Sequence, residues 1–157
     1  MSIRIVSIGT KVPNWTSSAF HDYQKRLPRD WAVTLTEVPA AKRLKNTDLS
    51  LAMEQESHKL WQHCHQPHHN PVVGLDRTGK KITSKAMASQ LDSWKNQGKT
   101  THFLIGGPEG ITPSVLEQCQ QVWSFSELTF PHPLVRVILI EQIYRAFCIV
   151  NHRTYHR

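Results

Sequence analysis

Two short segments hold residue types that chemistry could use. The first is Ile105-Gly106-Gly107-Pro108-Glu109-Gly110. Adjacent glycines let a ligand come close to the backbone and leave N–H groups open to it. Pro108 stiffens the turn. No Gly-Lys-Ser/Thr follows, so this is not a phosphate loop, and it is not the Gly-x-Gly-x-x-Gly dinucleotide fingerprint. An ordinary strand-to-helix turn has the same composition, so the glycines alone leave both readings open. The second segment runs from Phe125 to Arg136 and contains Pro131-His132-Pro133. The two prolines fix the backbone around His132 at a helix start, where N–H groups lack partners. His132 could meet a polar ligand there or simply cap the helix.

Further cations and aromatics lie downstream. Glu141 and Arg145 are spaced i, i+4 and can pair on a helix. The segment His152-Arg153-Thr154-Tyr155-His156-Arg157 is aromatic and basic, suited to stacking on a base and pairing with phosphate, or else a frayed end. His58, His63, Cys64, His65, His68 and His69 crowd together but show no closed zinc spacing. They read as a solvent-facing loop, and no metal site is expected. There is no Gly-x-Ser-x-Gly elbow and no His-Glu-x-x-His.

The elements that must position these residues alternate. Ile3–Ile8 is an apolar, β-branched run closed by Gly9, a buried strand. Pro13–Leu27 places Trp15, Ala19, Tyr23 and Leu27 on one helical face. Val33–Val38 is a strand stopped by Pro39. Thr47-Asp48 can cap a helix to about Trp61 with Leu49, Ala52, Met53 and Leu60 inward. Val72–Leu75 is a short strand, Thr83–Asn96 a helix and Phe103–Ile105 a strand. Thr112-Pro113 opens a helix to about Gln121. The last helix, from Pro133, is apolar on nearly all sides, and a subunit interface is a natural cover for it. This rhythm predicts an α/β domain with a largely parallel sheet over residues 1–157. Ligands in such sheets sit beyond the carboxyl ends of the strands, here the loops after Leu75, Ile105 and Phe130.

Length and composition agree with one compact domain: 157 residues, with five Trp and five Phe to anchor a core. That aromatic content excludes a disordered chain. The net charge is +7. Between Arg77 and Lys99 stand six Lys/Arg and one Asp (6 − 1 = +5), and between Arg136 and Arg157 four and one Glu (4 − 1 = +3). Lys42-Arg43-Leu44-Lys45 adds a third patch. Such patches favour a polyanionic partner such as a nucleic acid. Three scattered cysteines suggest a reducing compartment. The N-terminus enters a strand directly, without the marks of a signal peptide, and no stretch reads as a membrane span. A cytoplasmic protein is expected.

Taken in order, Val6-Ser7-Ile8-Gly9-Thr10-Lys11, Pro39-Ala40-Ala41-Lys42-Arg43, Ile105 to Gly110, Pro131 to Arg136 and Tyr155-His156-Arg157 closely resemble the RlmH family of small SPOUT-class methyltransferases. The resemblance spans essentially the whole chain. It implies an α/β SPOUT domain, a mostly parallel sheet flanked by helices, with a C-terminal trefoil knot, an exception to the usual unknotted rule. It implies a homodimer with the site at the interface and S-adenosyl-L-methionine as donor. The implied substrate is the pseudouridine at position 1915 in helix 69 of 23S rRNA, methylated at N3 within the 70S ribosome, with no role for DNA or a membrane. Carried over by motif, cofactor contacts come from Leu75, Gly106, Gly107 and the run Phe125, Ser126, Glu127, Leu128, Thr129 and Phe130. The chain departs from the pattern at Thr154, where relatives usually have Pro, and at Ala41, where many have Gly.

Methylating a ring nitrogen requires aligned donor and acceptor and removal of the N3 proton. The candidate catalytic residues are His132, Arg136, Arg145, Tyr155, His156 and Arg157. The arginines are expected to orient phosphate or stabilise a developing anion, and one histidine, such as His156 of a second copy, to handle the proton. A non-catalytic RNA-binding factor and a generic nucleotide-binding enzyme are the competing readings; binding of the methyl donor separates the first from the enzyme.

Overall fold

The computed structural model describes residues 2–156. Five strands, β1 (Ser2–Ile8), β2 (Ala32–Val38), β3 (Val72–Lys81), β4 (Thr101–Ile105) and β5 (Gln121–Ser124), form one sheet in the order β2-β1-β4-β3-β5. Every neighbouring pair is parallel. The helices are α1 (Asn14–Gln24), α2 (Leu49–Gln62), α3 (Ser84–Asn96), the one-turn α4 (Pro113–Leu116) and α5 (His132–Val150). This is the predicted α/β architecture. Because the sheet is parallel, all five strands deliver their carboxyl ends to one edge.

The period of two along the strands sorts the core into two clusters. Ile3, Ile5, Val73, Phe103 and Ile105 pack with Phe20 of α1, Leu91 of α3 and Ile143 and Phe147 of α5. Val6, Ile8, Val72 and Leu104 face the other way, onto Leu60 of α2 and Val115 of α4. On the first face Trp94 stacks on Trp123 at 6.0 Å between centroids, and Trp123 leans on Phe103 at 5.8 Å.

Several boundaries differ from expectation for identifiable reasons. β3 runs on to Lys81, with an irregular register against β5 between Leu75 and Lys80. The helix expected over residues 112–121 closes after Leu116. Gln120 instead ties loops together, accepting from the Val72 N–H at 2.6 Å and donating to the Pro67 carbonyl at 2.6 Å. In α2 the expected inward Leu49 is half exposed, as is Leu51. Its buried face is Ala52, Glu56, Ser57 and Leu60, a phase set by polar contacts described below. Asp48 caps α2 as expected, accepting from Ser50 and Leu51 N–H groups. No helix among the described residues is long and apolar enough to cross a membrane.

His102, fully buried in β4, accepts a hydrogen bond at Nε2 from the His65 N–H at 3.1 Å. Burial, helped by the charge on Arg4, pushes its pKa down to about 4. The folded chain therefore resists a proton that the unfolded chain takes up near pH 6.5, so stability is lost as pH falls from about 6.5 towards 4. Between pH 7 and pH 5 this single residue should remove about 2 kcal/mol, at ~1.4 kcal/mol per pH unit. Urea unfolding at the two pH values checks it: the His102→Asn variant should show a difference smaller by that amount.

Candidate functional site

At the carboxyl edge of β3, β4 and β5 lies a cavity of about 610 Å³, within the usual range of about 300–1,000 Å³ for small-molecule sites. β3 brings Leu75 and Asp76 to its wall, and β4 brings Ile105 and the loop Gly106–Gly110. β5 leads into the loop that presents Phe125, Ser126, Leu128, Thr129 and Phe130, and α5 closes the site with His132 and Val135. Two of the three loops expected from the strand pattern, those after Ile105 and around Phe130, thus converge; the third, after Leu75, is not a loop, because β3 continues through it to Lys81 and presents Leu75 and Asp76 from within the strand. Of the cofactor candidates, Leu75, Gly106, Gly107, Phe125, Ser126, Leu128, Thr129 and Phe130 line the cavity. Glu127 is not among the lining residues; it points outward, pairing with Lys81 at 2.6 Å.

The glycine loop is a tight turn. Gly110 donates to the Gly107 carbonyl at 3.0 Å and holds φ at +88°, a conformation side chains rarely adopt. A Cβ on Gly106 would lie 2.6 Å from the Gly110 carbonyl carbon, and one on Gly107 would lie 2.5 Å from Glu56 Oε2. Gly106 therefore requires glycine, a side chain at Gly107 would have to displace the Glu56 carboxylate, and the cavity wall here is main chain. Asp76, missed by the motif reading, offers a carboxylate there. Its Oδ1 accepts from the Thr78 N–H and hydroxyl. Only its place just past the expected strand Val72–Leu75 could have signalled it.

His132 packs against the turn after β1: a Cβ on Gly9 would lie 2.6 Å from its Cε1. Its Nδ1 is buried without a partner. Burial, reinforced by the Arg136 charge, holds its pKa below the ordinary histidine range, so the ring is neutral at pH 7. One helical turn later, Arg136 is buried, with 3% of its surface exposed. It donates to Ser7 Oγ at 2.8 Å, Glu37 Oε2 at 2.8 Å, and the carbonyls of Ile8 at 3.1 Å and Gly9 at 2.6 Å. The guanidinium thus fastens the start of α5 to the ends of β1 and β2.

The remaining candidates sit elsewhere. Arg145 donates to Glu141 Oε1 at 2.6 Å and lies over the Tyr155 ring, 5.0 Å from its centroid. Tyr155 donates to the same Glu141 oxygen at 3.1 Å and meets the Tyr23 hydroxyl at 3.1 Å. Thirteen residues of helix at ~1.5 Å per residue separate Arg145 from His132 by roughly 20 Å. Residues 154–156 form a short 3₁₀ turn; the His156 side chain and Arg157 lie outside the described residues.

A family model described as "Predicted SPOUT methyltransferase" matches residues 1–156. Among solved structures, the chain is similar to a probable methylase family protein from Haemophilus influenzae Rd KW20, at 15% identity and a TM-score of 0.59, over 99% of this chain and 70% of that one. It is also similar to a probable methyltransferase from Bordetella pertussis Tohama I, at 10% identity and a TM-score of 0.56, over 92% and 93% of the two chains. A third likeness is to a protein described as a methyltransferase from Legionella pneumophila, in complex with the bound cofactor SAM. There the identity is 7% and the TM-score 0.50, over 93% of this chain and 66% of that one. At these identities the likenesses speak for the fold.

Removing the Arg136 guanidinium leaves a buried hydroxyl and two main-chain carbonyls without their donor. Arg136→Met should lower the unfolding free energy by about 3 kcal/mol. Urea denaturation measures it, and a loss below about 1 kcal/mol would show that the network is dispensable.

Proposed function

The chain belongs to the SPOUT methyltransferase family, whose model is that of RlmH, and on that premise we propose that it moves a methyl group from S-adenosyl-L-methionine to an RNA base. One observation carries this reading: the cavity at the strand ends is walled on one side by glycine main chain and elsewhere by apolar side chains such as Leu75, Phe125 and Phe130, with a few polar groups, Asp76 and Thr129 among them. Such a wall suits a folded nucleoside with hydrogen-bonding edges and no phosphates, and the absence of any phosphate-loop fingerprint agrees. When bound, the donor supplies an electrophilic methyl on a sulfonium. Leu75, Gly106, Gly107, Phe125, Ser126, Leu128, Thr129 and Phe130 would hold and orient it, leaving the acceptor to enter past His132.

The acceptor we propose is the pseudouridine N3 at position 1915 in helix 69 of 23S rRNA, within the 70S ribosome. The net charge of +7 supports an RNA partner gripped through its phosphates. A single domain of 157 residues offers little surface to read sequence, so shape and presentation of the base must select it. Arg145 stands roughly 20 Å from His132 along α5, and Tyr155 packs beside it on Glu141; neither lines the cavity, so they can serve one only if a second copy brings them to it. We therefore propose a homodimer, covering the half-buried apolar stripe Leu134, Val137 and Ile138 of α5. In it the Tyr155-His156-Arg157 end reaches the partner's cavity. His156 would take the N3 proton, and Arg157 would steady phosphate or the developing anion. His132, neutral and pressed against Gly9, shapes the entrance. The trefoil knot and a cytoplasmic location belong to the same proposal.

Mass spectrometry of the helix 69 segment, after incubating unmethylated ribosomes with protein and donor, should show one added methyl on the pseudouridine. His156→Ala should slow single-turnover transfer roughly 100-fold or more. An unmodified segment would end the rRNA assignment, and an unchanged rate in the variant would end the proton-acceptor role. Ribosome binding should weaken steeply with added salt.

A further inference from the structure

Behind the glycine loop, on the side away from the cavity, Arg43 joins three parts of the chain. Its Nη1 donates to Glu56 Oε1 at 2.7 Å and to the Ala41 carbonyl at 2.9 Å. Its Nη2 donates to Glu56 Oε2 at 3.0 Å and to Glu109 Oε2 at 2.5 Å, and its Nε reaches Glu109 Oε1 at 3.3 Å. One planar guanidinium thus meets two carboxylates through two edges, a geometry open to arginine and not to lysine. Glu56 is buried, with 2% of its surface exposed, and also accepts from the Ala41 N–H at 2.9 Å. The two acids hold the arginine charged, and Arg43 in turn holds the Glu109 carboxyl below its ordinary range.

We propose that Arg43 is a positioning residue which, through Glu109 and Glu56, clamps the Gly106–Gly110 loop in the shape that receives the methyl donor. The proposal rests on the methyltransferase reading of that cavity. Arg43 itself is not among the residues lining it, whereas Glu109 and all three glycines of the loop are. The loop is thus tied down at Glu109 and backed at Gly107. Glu109 is held by Arg43, and Glu56 Oε2 occupies the space that a Cβ on Gly107 would need. Just past the loop, the Thr112 N–H donates to Ser57 Oγ at 2.9 Å. Main-chain groups give precise recognition only if the main chain is rigid, and glycines supply no rigidity of their own. The buried face of α2 and residues 39–48 supply it. The same contacts explain why α2 turns Glu56 inward and leaves Leu49 in solvent.

The test uses calorimetric binding of S-adenosylhomocysteine to the intact protein, together with thermal melting. Arg43→Ala would strand the buried Glu56, so two gentler variants are preferred. Glu109→Gln keeps Arg43 paired with Glu56 and releases the loop; its Kd should rise about tenfold with little change in Tm. Arg43→Lys keeps the charge without the two-edged geometry, and should weaken binding similarly. In methyl transfer, Arg43→Lys, at a residue outside the cavity lining, should raise the donor's KM while leaving kcat at saturating donor near wild type, a split that general destabilisation does not produce. Wild-type binding with unchanged affinity in Glu109→Gln overturns the clamp alone. A wild-type protein that binds no S-adenosylhomocysteine overturns the clamp together with the reading it rests on.

Discussion

A guanidinium buried at the carboxyl edge of the sheet is the constraint on which the site's geometry turns. Arg136 has lost its water and replaced it with Ser7, Glu37 and two main-chain carbonyls from β1 and the turn after it. A buried charge left without such partners would be untenable. The partners are therefore held as firmly as the arginine. Because α5 has 3.6 residues per turn, fixing Arg136 also fixes His132 one turn earlier, against Gly9. The wall that closes the cavity inherits its position from an ion pair outside it.

The glycine loop shows the same logic in another part of the cavity wall. Apolar packing positions helices to within a side chain's width, but it is non-directional. Charge-assisted hydrogen bonds have direction and are suited to locating a backbone turn. Arg43 with Glu56 and Glu109, and Arg136 with Glu37 and Ser7, divide this task between two parts of the wall. Between them the ligand-facing surface stays largely apolar or bare main chain.

Much of the fold was legible because period and punctuation are local. The strands around Ile5, Leu35, Val73 and Phe103 announced themselves by β-branched and aromatic runs, and Asp48 and the Thr112-Pro113 pair marked helix starts. The phase of α2 was not legible. Leu49 looks like a core residue and Glu56 like a surface one until Arg43, thirteen residues earlier, is seen to neutralise it. Arg136 posed the same difficulty. As a cation beside a candidate histidine it suggests a role toward substrate, and only its neighbours in space show that its donors are already engaged.

The sequence alone determined the alternation of strands and helices, the basic surface, the strand-end loops after Ile105 and around Phe130, and the motifs that mark the family. Each of these follows from residues close together in the chain, whose chemistry is readable in place. The tertiary structure decided which of the candidates meet. It put Gly106, Phe130 and His132 around one cavity and gathered Arg145 and Tyr155 on Glu141, outside it. It also turned Arg43 into the hub of the glycine loop. The physical reason is that a buried ion pair has no sequence period. It forms wherever the packed elements exclude water from two opposite charges, and that location exists only once the chain has folded.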